Sequence, residues 1–255
     1  MSSDVISFNK DNLDIYLREL AKEFRKLNGK AIPAEIILIG GASILANYGF
    51  RDMTYDMDAI IVASSAMKEA INRTGDKYGL PDRWLNTDFI KTKSYSPKLI
   101  EHSVYYKTYC NILTVRTISG EYLIAMKLLS GRKYKNDLSD VVGILMSHKE
   151  KGEQITLEHI KRAAVELYGT WKAIPNDSKL FIEKMLQNSN YAQTYHMLRE
   201  EEVNNKNLLI EFEQDYPGMT NEKNIEFILN EASKKLSEKK AVGNEVVEDE
   251  DEFEI

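Results

Sequence analysis

Apolar residues recur along this chain with two different periods, which predict helices in some segments and strands in others. Residues 10–28 carry them at helical spacing, and this predicts an amphipathic helix that ends at Gly29. Four short apolar runs predict strands, at 36–39, 58–62, 104–109 and 112–116. Capping residues and glycines predict further helices, at 42–48, from 64 to about 78, from 119 to about 130, and from 136 onward.

The pattern changes near residue 150. Beyond it glycine is sparse, strand patterns stop, and helices are predicted at 156–168, 177–188, 190–214 and 221–240. We therefore expect an α/β (α+β) domain over residues 1–150 and a helical C-terminal region over 151–243. The last segment, 244–255, holds seven acids and no Lys or Arg, so we expect an acidic disordered tail.

The composition is typical of a globular protein, with 255 residues, 43% hydrophobic and 29% charged. The first residues lack the basic segment and apolar core of a signal peptide, and no apolar run approaches the roughly 20 residues that a membrane helix needs. Because Cys110 is the single cysteine, no internal disulfide can form. We expect a cytoplasmic protein without membrane contact.

Charge is unevenly distributed along the chain, although the net charge is only −6. Residues 83–135 contain ten Lys or Arg against three Asp or Glu, whereas the acids concentrate at the C-terminus. A local positive excess favours polyanionic ligands such as nucleotides or RNA. For any individual basic residue of this segment, a position on a solvated loop is an equally good interpretation.

The stretch from 36 to 62 has the layout of a phosphate-handling metal site. A predicted strand ends at Gly40 and Gly41, where the absence of Cβ atoms lets the backbone turn sharply and approach a ligand. The amides that open the following helix attract anions. Asp56 and Asp58 flank Met57 at the entry to the next strand, so both carboxylates point one way while Met57 enters the core. Two hard oxygen ligands on one face suit Mg²⁺ or Mn²⁺.

These residues resemble a known family. Gly-Gly-x-Ser at 40–43, followed by Thr-x-Asp-x-Asp at 54–58 and an apolar run, is similar to the signature of the nucleotidyltransferase superfamily with the DNA polymerase β-like fold. Three longer segments narrow the resemblance to the minimal bacterial nucleotidyltransferases of the AbiEii toxin and DUF6036 group: YGFRDMTYDMDAII, RWLN, and EYLIAMKLLSGRKYKNDLSD. The resemblance covers about residues 34–146.

The resemblance implies a nucleotidyltransferase fold, with a small mixed sheet flanked by helices, and transfer of a nucleoside monophosphate from an NTP to an RNA, tRNA or protein acceptor. It also implies a role in a toxin–antitoxin pair, whose partner would be an antitoxin or target protein. Asp56 and Asp58 would hold the metal. Gly40, Gly41 and Ser43 would hold the β- and γ-phosphates.

The same resemblance assigns roles near the second half of the proposed site. Lys127 would neutralise charge on the triphosphate, and Arg132 would add positive charge beside it. Active members of the superfamily often carry a third carboxylate on a strand, but residues 102–116 contain no Asp or Glu. We expect Asp137 or Asp140, at the start of a helix, to supply that acid near Lys127, although acids in a first helical turn also simply favour the helix dipole.

Two alternatives remain open from the residues. A dinucleotide site of the Rossmann type also follows a strand with glycines and a helix, but the segment GGASIL lacks the G-x-G-x-x-G spacing. The second alternative keeps the nucleotidyltransferase fold without catalysis, as a nucleotide-binding or partner-binding module. The missing strand carboxylate favours that alternative, whereas the intact glycine and aspartate motifs favour the enzyme.

Overall fold

The computed structural model describes residues 7–29, 32–187, 190–221, 224–232 and 234. Its strands are β1 (Ala34–Leu38), β2 (Met57–Val62), β3 (Leu85–Asn86), β4 (Ser103–Tyr109) and β5 (Leu113–Ile118). Its α-helices are α1 (Lys10–Asn28), α2 (Gly40–Asn47), α3 (Ala66–Tyr78), α4 (Gly120–Ser130), α5 (Asp137–Glu150), α6 (Leu157–Tyr168), α7 (Asn176–Gln187) and α8 (Tyr191–Asp215). Short 3₁₀ helices cover Asp88–Lys91, Pro97–Ile100 and Trp171–Ala173.

The five strands form one mixed sheet in the order β3-β2-β1-β5-β4. In its centre, β1 runs antiparallel to β2 and parallel to β5. At the edges, β3 pairs parallel with β2, and β4 pairs antiparallel with β5. The β4–β5 turn lies at Cys110 and Asn111, which both have φ of 53°. A small mixed sheet flanked by helices is the predicted fold class, which is therefore confirmed.

One face of the sheet packs on α1. Alternate residues of the central strands share a buried cluster with apolar side chains of that helix; the cluster includes Leu13, Leu17, Leu20, Phe24, Ile36, Leu38, Met57, Ala59, Leu113 and Val115. Each of the larger side chains in this cluster stabilises the fold by about 1.5–3 kcal/mol when it is fully buried. Because strand residues alternate, the intervening residues, Asp58 among them, point to the opposite face.

Helix α1 begins and ends at residues that explain its bounds. The side chain of Asn9 accepts hydrogen bonds from the amides of Asp11 and Asn12, both at 3.0 Å, and the Asn12 side chain bonds back to the Asn9 amide. Gly29 ends the helix with φ of 72°. The predicted helix over 10–28 is confirmed to the residue.

Helices follow the sheet, largely where they are predicted. Helix α4 is buried nearly all round, as its apolar composition predicts, and α5 and α6 pack against it. Thr156 caps α6 through the His159 amide. Helices α7 and α8 agree with the predicted 177–188 and 190–214 within one residue at each described end. Within the predicted 221–240, the described residues 225–232 are helical.

The chain divides into two compact units. The first comprises Met1–Gly131 and Asp137–His196, and the second comprises Arg132–Asn136 and Met197–Ile255. In the second, Leu209, Ile228 and Leu229 form a small core. The expected domain boundary at residue 150 stays a prediction, and the acidic tail lies outside the described residues. Among the described helices, none combines the length and apolarity needed to cross a bilayer.

Asp14 on α1 joins that helix to β4, and it provides a test of the packing. Its carboxylate accepts hydrogen bonds from the hydroxyls of Tyr106 and Tyr109 and from the Lys107 ammonium. Burial acts to raise the pKa of Asp14, but these donors outweigh it and hold the pKa below its usual 3.8. The stabilisation is therefore present above about pH 4 and is lost as the pH falls through the lowered pKa.

We predict that Tyr109→Phe lowers the free energy of unfolding by about 1 kcal/mol at pH 7, because one donor to Asp14 is lost. Tyr105→Phe on the same strand is the control, since Tyr105 is 63% exposed, and it should change stability by less than about 0.5 kcal/mol. Urea unfolding measures both. Equal effects of the two variants would contradict the described packing.

Candidate active site

The turn from β1 into α2 needs glycine at two positions for different reasons. Gly40 has φ of 53°, a backbone conformation that residues with a Cβ rarely adopt. At Gly41, a Cβ would lie 2.7 Å from Thr54 Oγ1 and 2.9 Å from Arg51 Nη2. The glycine turn, Gly40–Gly41, therefore packs directly on Thr54 and Arg51.

Helix α2 is clamped to the end of β5. The Ser43 hydroxyl accepts a hydrogen bond from the Ile118 amide at 2.9 Å, and the Asn47 side chain donates to the Ile118 carbonyl at 3.0 Å. Ser43 is fully buried, and in this structure its side chain stabilises the packing of α2 against β5. The predicted phosphate contact of Ser43 stays a prediction.

The two aspartates flank a buried residue, as the sequence pattern predicts. Met57 is fully buried, whereas Asp56 is exposed and Asp58 is partly accessible. The Asp58 carbonyl accepts from the Ile39 amide at 2.8 Å, which holds the entry of β2 beside the start of α2. Thr54 Oγ1 lies 3.4 Å from Asp56 Oδ1, so Thr54 connects the glycine turn with the first aspartate.

The loop between α2 and β2 is anchored at both ends. The Phe50 ring lies so close to Gly143 of α5 that a Cβ there would be 2.5 Å from it, and Tyr195 donates to the Phe50 carbonyl at 3.0 Å. At the other end, Thr54 and Phe8 exchange two backbone hydrogen bonds of 2.7 and 2.8 Å. These anchors fix the position of Arg51 between them.

Four charged side chains form a buried network beside the glycine turn. Lys127 Nζ lies 2.9 Å from Asp137 Oδ1 and 2.9 Å from Asp140 Oδ2. Arg51 Nη1 donates to both oxygens of Asp140, at 2.9 and 2.6 Å. Both acids are almost fully buried, and the side chains of Lys127 and Arg51 are 12% and 11% exposed. We call these four residues the charge network.

The network keeps Lys127 charged. Burial acts to lower the pKa of Lys127, and the positive charge of Arg51 acts in the same direction, but the carboxylates of Asp137 and Asp140 outweigh both and raise the pKa above its usual value. Lys127 is therefore an ammonium at neutral pH. The stability that this raised pKa provides is present at neutral pH and is lost only as the pH rises through that pKa, above its usual 10.5.

The structure thus brings most predicted site residues into one connected region. The glycine turn contacts Arg51, Arg51 holds Asp140, and Lys127 joins Asp140 to Asp137. The expected proximity of Lys127 to Asp137 and Asp140 is confirmed. Arg132 belongs to the second compact unit, and its assignment stays a prediction.

Asp56 and Asp58 fit a divalent cation by their chemistry and accessibility. Within the described ranges, no group of three or more His, Cys, Asp or Glu side chains has the spacing of a metal site. Mg²⁺ typically takes one or two protein carboxylates and completes its octahedron with water and substrate phosphate, so two aspartates match the number of protein ligands that such an ion takes.

Three neighbours of the site were given no role in the sequence analysis. Arg51 and Thr54 lie in the segment that carries the family resemblance, but in a loop without periodicity. Asn86 pairs in register with Asp58 across β2 and β3. Asn86 lies in the segment RWLN, which is one of the three segments that carry the family resemblance. That resemblance was the only sequence feature that could have pointed to Asn86 as a neighbour of the site. Trp84 in that segment is a packing residue, which donates to the Ile71 carbonyl at 3.0 Å.

Comparison with known proteins agrees with this geometry. A family model described as nucleotidyltransferase of unknown function (DUF6036) matches residues 16–181. The chain therefore belongs to this nucleotidyltransferase family. Neither the curated proteins nor the solved structures include a match to the chain.

We predict that Lys127→Met lowers the free energy of unfolding by roughly 3–5 kcal/mol, because it leaves two carboxylates buried without their shared cation. Lys22→Met is the control, since Lys22 is 51% exposed and pairs with Glu19, and its loss should be about 1 kcal/mol or less. Chemical denaturation at neutral pH measures both variants. Similar losses in both would show that the charge network is not buried as described.

Proposed function

We propose that this protein is a metal-dependent nucleotidyltransferase that moves a nucleoside monophosphate from an NTP to an RNA, tRNA or protein hydroxyl. The proposal rests on one observation above all: the glycine turn packs on Thr54 and Arg51, directly beside the entry of β2 that carries Asp56 and Asp58. Anion-binding amides, a guanidinium and two carboxylates are the groups that a metal-bound triphosphate requires.

In this mechanism Asp56 and Asp58 would hold Mg²⁺ or Mn²⁺, which would neutralise charge on the phosphate oxygens. The amides that open α2 orient the β- and γ-phosphates. The acceptor oxygen forms a bond to the α-phosphorus while the bond to the bridging oxygen breaks, so that pyrophosphate leaves and the hydroxyl proton is released. The positive side chains beside the turn stabilise the charge that develops on pyrophosphate.

Asp137 and Asp140 have a defined part in this proposal. Both carboxylates contact Lys127, and Asp140 also contacts Arg51. They therefore hold two cations in fixed positions, which is the preorganisation that electrostatic catalysis needs. The expectation that one of them is the third acid at the metal stays a prediction.

A polyanionic acceptor is supported by the surface around β3. Arg83 and Lys91 have side chains that are 66% and 81% exposed, and both pair with the single carboxylate of Asp88. Two cations on one acid leave a positive surface that attracts phosphates. The similarity of the sequence to AbiEii toxins supports a tRNA or protein acceptor and a role in a toxin–antitoxin pair.

A non-catalytic nucleotide-binding or partner-binding module is the second candidate. It is favoured by β5, where no acid is present, and by the two carboxylates that already neutralise Lys127. The two candidates share nucleotide binding and differ in product formation. An assay that measures binding and transfer separately therefore distinguishes them.

We predict that the wild-type protein, incubated with Mg²⁺ and each α-labelled NTP, labels an acceptor in total RNA or in cell lysate. Asp56→Asn and Asp58→Asn should each lower label transfer by about 100-fold or more, since each removes a metal ligand. Asp52→Asn is the control, because this exposed residue lies in the same loop. Circular dichroism checks that all variants keep the fold.

The outcomes separate the two candidates. Label on RNA or protein supports the enzyme and identifies the acceptor class. Tight Mg²⁺·NTP binding without label on either acceptor would favour the binding module. Transfer or binding that is unchanged in both aspartate variants would refute the proposed metal site.

A further inference from the structure

The charge of Lys127 is already matched by neighbouring acids. Its Nζ lies 2.9 Å from one oxygen of Asp137 and 2.9 Å from one oxygen of Asp140, and both acids are almost fully buried. A phosphate that approached Lys127 would have to compete with two carboxylates that cannot move into water without disrupting the core. Lys127 is therefore poorly placed as the main cation for a phosphate ligand.

Arg51 has a different distribution of hydrogen bonds. Its Nε donates to the Met53 carbonyl at 3.1 Å, and its Nη1 donates to Asp140. Within the part of the chain that the structure describes, its Nη2 donates to no protein acceptor. A guanidinium has five N–H donors in a rigid plane, so two of its nitrogens can be fixed by the protein while the third keeps both N–H groups available.

The available nitrogen lies at the glycine turn. Nη2 is 2.9 Å from the position that a Cβ of Gly41 would occupy, and Thr54 Oγ1 is 2.7 Å from the same point. Because Gly41 has no side chain, the guanidinium can pack directly against the start of α2. Thr54 connects this point to Asp56, the first proposed metal ligand.

We propose that Arg51 is the phosphate-binding cation of this site, with Nη2 donating to an NTP phosphate oxygen at the glycine turn. Asp140, which is itself paired with Lys127, holds the other side of its guanidinium. The inference rests on the proposed function and assigns the triphosphate contact to a residue different from Lys127. It also favours arginine over lysine at this position, because the single nitrogen of a lysine cannot lie both beside Asp140 and at the glycine turn, whereas Nη1 and Nη2 of a guanidinium can.

The test uses inorganic tripolyphosphate, which has neither base nor sugar, with binding measured by calorimetry on the full chain in Mg²⁺-free, low-salt buffer. Arg51→Lys keeps the positive charge beside Asp140 and should weaken tripolyphosphate binding about tenfold or more. Arg73→Lys is the matched control, because Arg73 pairs with Glu69 on the surface of α3, and it should bind as the wild type does.

A second variant decides the question if Arg51→Lys does not fold. Gly41→Ala places a methyl group at 2.9 Å from Nη2 and 2.7 Å from Thr54 Oγ1, so both the guanidinium and the hydroxyl must give way without any change of charge. It should weaken tripolyphosphate binding severalfold. Gly49→Ala, in the loop that carries Arg51 and with no heavy atom within 4 Å of the added Cβ, should have no effect.

Each outcome either supports or overturns the inference. Weaker binding in Arg51→Lys and Gly41→Ala, with both controls unchanged, supports it. Wild-type affinity in either folded variant would overturn the assignment of Arg51 and leave the proposed function standing. Failure of the wild-type protein to bind tripolyphosphate and Mg²⁺·NTP would overturn both the inference and the proposed function.

Discussion

The charge network is the constraint on which the site depends. Two cations and two carboxylates are removed from most of the solvent, and this arrangement is tolerable only because each acid contacts a cation at hydrogen-bond distance. Its members come from α4, from the start of α5 and from the loop before β2. Removing any one of them leaves an uncompensated buried charge, so the position of the loop at the glycine turn depends on helices far away in sequence.

The sheet and most helices could be predicted because their signals are local. Short apolar runs produced the four longer strands, and the bounds of α1 follow from a capping asparagine and a terminal glycine. Strand β3 has only two residues, Leu85–Asn86, which is too short for an apolar pattern. It is a strand because it pairs with β2. Propensity therefore could not indicate it.

The site was only partly predictable, for a related reason. The glycines and aspartates were found because chemistry demands those residue types at a fixed spacing. Arg51 contacts Asp140, which lies 89 residues further along the chain, and no local pattern records such a contact. The orientation of Ser43 was also beyond the sequence, because a short helix that is apolar on several sides does not reveal which side faces the sheet.

The clamp on Ile118 has a mechanical consequence. Ser43 and Asn47 hold the two polar groups of one residue at the end of β5, and α4 begins two residues later at Gly120. The glycine turn and the helix that carries Lys127 are thus connected through these two hydrogen bonds and a short stretch of chain, so a shift of one moves the other. Any rearrangement that moved α2 away from the end of β5 would have to break the two hydrogen bonds to Ile118.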